Sequence, residues 1–396
     1  MTNLLFDLNN MAYRSLFIVG GYGKKQFTFD SQSEIDQLMR KLATDMAYLI
    51  RLINPARIIF AVDDKSWRKT IDIEENEGYK GNRTKSSIVN WENVFNALNE
   101  FSELMKTNGM IVTKIKNAEA DDVVALWAYE LQFNQNQHVI IVSGDEDLRQ
   151  LVRFYPYDSP NKKLAFCTVF NPFMQGKNAS RKLFVPNHFE EWMNAASTVD
   201  FLNMKGSIDV DKQDFEKIIT SERTKMEYVN GRMIALRKMF CGDDGDNIPS
   251  IFTWVVKDKK GKDKTVRLTN SKFQKIYEML LLSPTELMDY IDISERSDKV
   301  LKAIIKVCKH TPIFDIEDRI IRQTKLVVLS PSVFPKEIID TFEELKVEQI
   351  LRPKVNYASL NMHNLLEGTR YVYEKKIKNE ASIFKEIDRI KGTPLF

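Results

Sequence analysis

The chain has 396 residues, 43% of them hydrophobic, enough for a substantial core in about two or three domains or in one large one. Lysine and arginine total 58 against 55 acidic residues, a net charge of +3, so the overall balance neither demands nor forbids a polyanionic partner. Three scattered cysteines without a C-x-x-C pair and four isolated histidines exclude a zinc ribbon and a histidine-rich metal centre, and no apolar run is long enough to span a membrane. The opening MTNLLFDLNN has neither the basic nor the apolar region of a signal peptide. Free thiols fit a reducing compartment, so a cytoplasmic location is expected.

In chain order, four short β-prone runs come first: Leu4–Phe6, Arg57–Val62, Met110–Ile115 and His138–Ser143. Apolar residues at helical spacing fill Ser33–Ile53 and Trp91–Thr107 between them. This alternation over residues 1–155 predicts an α/β domain, a mainly parallel sheet flanked by helices. From 155 to about 182, prolines and Gly176 among polar residues predict loops and short strands. Helices are expected over Asn187–Met204 and Asp211–Phe240, making 156–238 an insertion and a helical continuation of the first domain. An acidic cluster at 243–246 is followed by a basic stretch, Lys257–Arg267, and then by mostly helix, punctuated by Pro331, Pro335 and Pro353. A helical domain is expected over 239–345 and a helical extension and tail over 346–396.

Three of the predicted strands run directly into aspartate. Leu5-Phe6 leads into Asp7, Ala61-Val62 into Asp63 and Asp64, and Val142-Ser143-Gly144 into Asp145, with Asp147 two residues on. In an open parallel sheet, residues just past the strand C-termini converge on one crevice. A fourth acidic group, Glu119-Ala120-Asp121-Asp122, opens the helical run Val123–Leu131, and a fifth is Asp243-Asp244-Gly245-Asp246. Any one group reads equally well as a turn residue or a helix cap. Five groups in one crevice would repel one another unless cations neutralised them. Oxygen donors with little histidine or thiolate point to magnesium or manganese. Two such ions suit in-line displacement at phosphate.

A basic run follows Asp63: Lys65, Arg68, Lys69, Lys80, Arg83 and Lys85, with Trp67 and Tyr79 interleaved, and Tyr13 and Arg14 lie near Asp7. By itself the run reads as a solvated face broken by Glu74, Glu75 and Glu77. Beside a carboxylate crevice it suits a substrate with phosphates to neutralise and bases to stack.

Five segments together resemble one family. They are Phe6-Asp7-Leu8-Asn9-Asn10-Met11-Ala12-Tyr13-Arg14, Tyr79-Lys80-Gly81-Asn82-Arg83, Glu119-Ala120-Asp121-Asp122, Ser143-Gly144-Asp145-Glu146-Asp147-Leu148 with Gln150-Leu151, and Gly242-Asp243-Asp244-Gly245-Asp246-Asn247-Ile248-Pro249. They resemble the motifs of the flap endonuclease/5′→3′ exonuclease family. Lys80–Glu92 and Arg319–Ile338 are similar to the T-even-phage type of ribonuclease H within it. The resemblance implies a PIN-like α/β fold with a helical arch over 65–92 and a mostly helical duplex-binding region. It implies hydrolysis near the 5′ ends of DNA or RNA–DNA, leaving a 5′-phosphate and a 3′-hydroxyl, in primer removal and lagging-strand processing of phage-type replication. The location would then be the host cytoplasm.

Carried over by position, the resemblance puts Asp7, Asp63, Glu119 and Asp121 around one Mg2+, replaceable by Mn2+. It puts Asp145, Asp147 and Asp246 around a second, with Asp122 and Asp243 acting through water. Lys80 and Arg83, with Asp145, would act at the scissile phosphate, and Tyr13, Arg14, Lys65, Arg68 and Lys85 would contact the strand. Implied partners are DNA and RNA–DNA duplexes with 5′ flaps or ends, and a sliding clamp or single-strand-binding protein, for which Lys391–Phe396 offers a docking tail or only a frayed end. No membrane partner is expected.

Two departures qualify the resemblance. The family's glycine-rich duplex-binding turn is replaced by Ser250-Ile251-Phe252-Thr253-Trp254, which puts a bound K+ in doubt. Lys257, Lys259, Lys260, Lys262, Lys264 and Arg267 are then expected to grip the duplex themselves. About 85 residues, 154–238, separate the last two acidic motifs, and part of that span reads as an insertion with no assignable role. Two alternatives stay open: a PIN-type ribonuclease, and a DNA-binding protein that keeps the fold without chemistry.

Overall fold

The computed structural model describes residues 2–19, 27–53, 55–73, 78–83, 88–155, 165–173, 180–187, 189, 218–220, 224–280, 297–310 and 316–350. At its centre lies a sheet of strands β1 (Thr2–Asp7), β2 (Arg57–Val62), β3 (Ile111–Lys114), β4 (His138–Val142), β5 (Arg153–Tyr155), β6 (Ala165–Asn171), β7 (Arg181–Val185) and β8 (Thr224–Tyr228). The order is β3-β2-β1-β4-β6-β7-β8, with β5 alongside β6. Neighbours are parallel except β5 with β6 and β6 with β7. Register sets Phe6 beside both Phe60 and Val142. The C-terminal ends of β1, β2 and β4 are therefore flush, and the aspartates that follow them share one edge of the sheet.

Alternate residues of a strand point to opposite faces, and a parallel sheet covered on both sides is apolar on both. Leu4, Phe6, Ile58, Phe60, Ile140 and Val142 pack against α1 (Leu8–Val19), α2 (Gln32–Ile53) and α3 (Trp91–Thr107). Leu5, Ile59, Ala61, Val139 and Ile141 pack against α4 (Ala120–Tyr129) and against α9 (Lys336–Ile350), which closes that face. There Phe342 meets Trp127 edge-on at 5.1 Å, and the Thr113 hydroxyl donates to Gln349 (2.8 Å) while accepting from the Trp127 indole (2.9 Å). The expected α/β architecture is thus present.

A third core joins Tyr79 to α5 (Gly231–Cys241), the hairpin β9 (Thr253–Lys257) and β10 (Asp263–Arg267), α6 (Asn270–Leu280), α7 (Ser297–Cys308) and α8 (Ile316–Val327). Two local expectations change. The helix expected over Asp211–Phe240 is helical at 218–220, gives way to β8, and resumes as α5. The helix restarts at Asn230-Gly231. The Asn230 side chain accepts from Met233 N at 3.3 Å, and a Cβ at Gly231 would stand 2.4 Å from the Gln150 carbonyl. The basic stretch Lys257–Arg267 forms the turn and second strand of the hairpin. Among the described residues of segment 65–92, the regular turns are a 3-10 turn at Trp67–Thr70 and a turn over residues 79–82. The helix expected over Asn187–Met204 lies almost wholly outside the described residues, as do Lys85 and the tail Lys391–Phe396. No described helix is long and apolar enough to cross a membrane.

Candidate active site

Each carboxylate is aimed by the element that bears it. Asp7 ends β1 and accepts from Asn10 N in the first turn of α1 (3.0 Å) and from the Ser143 hydroxyl (3.3 Å). Asp63 follows β2 and accepts from Ala120 N at the start of α4 (2.7 Å). Beyond β4, Asp145 N donates to the Ser143 hydroxyl (3.0 Å) and Asp147 N to the Asp145 carboxylate (2.9 Å). Exposed amide groups at helix starts favour carboxylates, so these bonds set side-chain direction as well as charge.

Asp7, Asp63, Asp121 and Asp145 form one electrostatic set. Burial, with Asp63 and Asp145 nearby, pushes the Asp7 carboxyl up to about 8. Burial also raises Asp121, helped by Asp145 and Asp7, and raises Asp63, helped by Glu119. Glu119 goes the other way: against the opposing effect of burial, Lys80 and Arg68 bring it down to about 2.

A second set lies on the loop after α5. Asp147, Asp243 and Asp246 each offer an oxygen within 4.8 Å of the others. Gly242 makes this loop possible, with φ +77 and no room for a Cβ, which would stand 2.4 Å from the Ile248 carbonyl. The loop is stapled to the foot of segment 65–92. Lys80 N donates to the Asp246 carbonyl (2.8 Å), Asn82 to the Asp244 carbonyl (2.8 Å) and Asn247 to the Gly78 carbonyl (2.9 Å). The Lys80 ammonium lies 2.5 Å from Glu119 and 4.0 Å from Asp246, and Arg83 pairs with Asp246.

Members of both sets line one cavity of about 700 Å³: Asp121, Asp145, Asp147, Asp243 and Asp246, with the cations Arg14, Lys80, Arg83, Lys238 and Arg267. Tyr13 is exposed and its ring stacks on Trp91 at a centroid distance of 6.1 Å. Lys65 is exposed, as are Lys257, Lys259, Lys260, Lys262 and Lys264 on the hairpin, while Arg267 pairs with Asp244 at the cavity's edge.

Several expectations are corrected. Arg68, expected on the nucleic acid, is 2% exposed, paired with Asp122 at 2.7 Å and with Glu119 at 3.3 Å, and its guanidinium lies over the Trp67 ring. It cannot reach a substrate. Asp122, expected near a metal, is fully buried and accepts from Arg68, from the Trp67 indole (3.1 Å) and from Glu119 N (3.1 Å). Trp67 and Tyr79, expected to stack on bases, are buried too, and the Tyr79 hydroxyl donates to Glu119 at 3.1 Å.

Sequence reasoning also missed two residues. Lys238 pairs with Asp147 and with Asp243 (2.5 Å), and its signal was a lone lysine in the last turn of a helix before Gly242. Asn10 accepts from Gly144 N at 3.0 Å and ties the end of β1 to the end of β4. Only its adjacency to Asp7 pointed to it.

No curated protein matches the chain. Among solved structures, the chain is similar to bacteriophage T5 5′-exonuclease with zinc ions bound, at 16% identity and a TM-score of 0.46, covering 93% of this chain and 100% of that one. It is similar also to a bacteriophage T5 flap endonuclease in a pseudo-enzyme–product complex with DNA and metal ions, at 16% identity and a TM-score of 0.40, with the same coverage of 93% and 100%. Residues 2–168 match the family model described as 5′-3′ exonuclease, N-terminal resolvase-like domain. That span holds β1 to β4, α4 and the first carboxylate set, and residues 2–168 are accordingly a 5′-3′ exonuclease N-terminal, resolvase-like domain.

Proposed function

We propose that the chain is a divalent-metal-dependent 5′→3′ exonuclease and flap endonuclease that hydrolyses phosphodiester bonds near the 5′ ends of DNA or RNA–DNA. The observation that carries this reading is the convergence of carboxylates from three chain segments, at Asp121, at Asp145 and Asp147, and at Asp243 and Asp246, on one open cavity with cations in its lining, with Asp7 and Asp63 buried beside them. The donor set fits magnesium or manganese, since it is all carboxylate oxygen with neither thiolate nor imidazole. Burial and mutual repulsion disfavour charge on Asp7, Asp63 and Asp121, which a divalent ion would relieve. Asp7, Asp63, Asp121 and Asp145, with Glu119 beside them, would hold one ion, and Asp147, Asp243 and Asp246 a second. Bound ions supply positive charge at the phosphate and a more acidic water.

The chain's own residues do the rest. Lys80 and Arg83 line the cavity and supply fixed positive charge where negative charge grows on phosphorus-bound oxygens. Arg14 lines the same wall, and the exposed Tyr13 ring beside it offers a face to a base. The lysines of β9–β10 offer a separate grip on duplex phosphates. Water adds at phosphorus, the bond to the 3′-oxygen breaks and that oxygen takes a proton, leaving a 5′-phosphate and a 3′-hydroxyl. The motif resemblance to the T-even-phage type supports a setting in phage-type replication, in primer removal and lagging-strand processing, beside a sliding clamp or a single-strand-binding protein.

The test uses matched substrates in magnesium and in EDTA: a 5′ flap, a nicked duplex, a 3′ flap and a closed single-stranded circle. The first two are cut in magnesium, the last two are spared, and nothing is cut in EDTA. Efficient cutting of the circle would remove end selection and favour a PIN-type ribonuclease. Tight binding without cutting would favour a non-catalytic DNA-binding protein.

A further inference from the structure

We infer that Lys238 is the resident counter-ion of the Asp147–Asp243–Asp246 cluster and competes with a divalent cation for it, so that the two carboxylate sets load unequally. The inference rests on the metal-binding reading proposed above and adds a residue outside every motif of the sequence.

The geometry is specific to one set. Lys238 stands in the last turn of α5, and its ammonium contacts Asp147 and lies 2.5 Å from Asp243. The third member, Asp246, is paired with Arg83. Each carboxylate of this cluster therefore already holds a protein cation. The other set differs. Asp7, Asp121 and Asp145 repel one another, and Lys80, which pairs with Glu119 at 2.5 Å, acts on Asp63 and Asp121 only through space.

An ammonium and a divalent ion cannot share the gap between oxygens that lie within 4.8 Å of one another. A cation entering this cluster must first break the two Lys238 ion pairs. Those pairs are worth more than surface pairs, because the Lys238 side chain is only 14% exposed. A cation entering among Asp7, Asp121 and Asp145 relieves repulsion and leaves the Lys80–Glu119 pair beside them in place. The first ion therefore binds more tightly, and the second loads only when its concentration overcomes the lysine. A flexible four-carbon stem suits this role, since the ammonium can leave without moving the helix.

The experiment titrates the full chain with manganese alone, by calorimetry, in the wild type, Lys238→Gln and Lys238→Arg. The wild type and Lys238→Arg show a tight and a weaker class of site. In Lys238→Gln the weaker class tightens roughly tenfold, the equivalent of losing one partly shielded ion pair, and the tight class is unchanged. An unchanged or weakened second class in Lys238→Gln overturns the inference while leaving the metal reading intact. No saturable binding in the wild type sinks the metal reading and the inference with it. Should Lys238→Gln not fold, wild-type protein is acylated with an amine-reactive reagent across the same titration. Lys238 becomes more reactive over the range in which the weaker class fills, and flat reactivity overturns the inference.

Discussion

Asp145 and Asp147 stand two residues apart and both line the cavity, with the Asp147 amide donating to the Asp145 carboxylate at 2.9 Å. Asp145→Asn keeps the shape and an acceptor but removes a charge that the proposed chemistry needs. Turnover in saturating magnesium is expected to fall by about a thousandfold, with an unchanged far-ultraviolet circular dichroism spectrum. Near-wild-type single-turnover rates would take Asp145 out of the site. Arg68 makes the opposite kind of prediction. Arg68→Met leaves Asp122 buried without its cation, so unfolding in urea is expected at a stability lower by about 3–5 kcal/mol. A midpoint within error of the wild type would mean that water replaces the guanidinium. The same pair explains why the site was only partly legible. Glu119-Ala120-Asp121-Asp122 gives two adjacent acids equal standing in one dimension. On a helix, neighbours point about 100° apart, so Asp121 lines the cavity while Asp122 turns into the core. A sequence shows that one of the two faces inward only once the buried partner is known, and Arg68 lies in another motif altogether.

At the scale of elements, the hairpin β9–β10 carries a testable charge. Asp258 accepts from the amides of Lys260 (2.8 Å) and Lys262 (2.9 Å), shaping a turn that leaves its lysines exposed. Replacing Lys259, Lys260, Lys262 and Lys264 with serine is expected to weaken duplex binding and flatten its dependence on salt, because fewer counterions are released. Fluorescence anisotropy across a salt series reads both. A wild-type slope in the variant would show that the hairpin stays in solvent. The central strands were legible because both faces of β1, β2 and β4 are buried, which leaves an uninterrupted apolar run before each aspartate. β8 and the hairpin were not. Thr224-Lys225-Met226-Glu227-Tyr228 is a partly exposed edge strand beside a helix start, and Thr253–Lys257 runs into a lysine-rich turn that dominates the reading. Edge strands take much of their stability from a neighbour that is distant in sequence, here β7.

For the whole molecule, the crowded carboxylates link stability to pH. Asp7 is held at about 8 against an ordinary 3.8, so between those values the folded metal-free protein binds a proton that the unfolded chain has released. Stability in EDTA is therefore expected to fall as pH rises from about 5 to 8, by at most about 1.4 kcal/mol per pH unit for each such proton. Glu119, held at about 2, works in the other direction only below its ordinary 4.5. Saturating magnesium favours the charged carboxylates and should abolish the fall. Calorimetric melting from pH 5 to 9 with and without magnesium reads this, and an EDTA melting temperature that rises over the window would contradict it. The closure of the second face by α9 has a consequence for how the molecule is made. Thr113 and Gln349 are 236 positions apart in the chain, yet they share one buried hydrogen bond beside Trp127. At ordinary ribosome speeds that separation is roughly 10–50 s of synthesis. During that interval the helix that carries Asp121 has its apolar side uncovered, so the nascent domain is expected to be a client for chaperones until α9 closes it. A chain released before residue 336 should be retained by them.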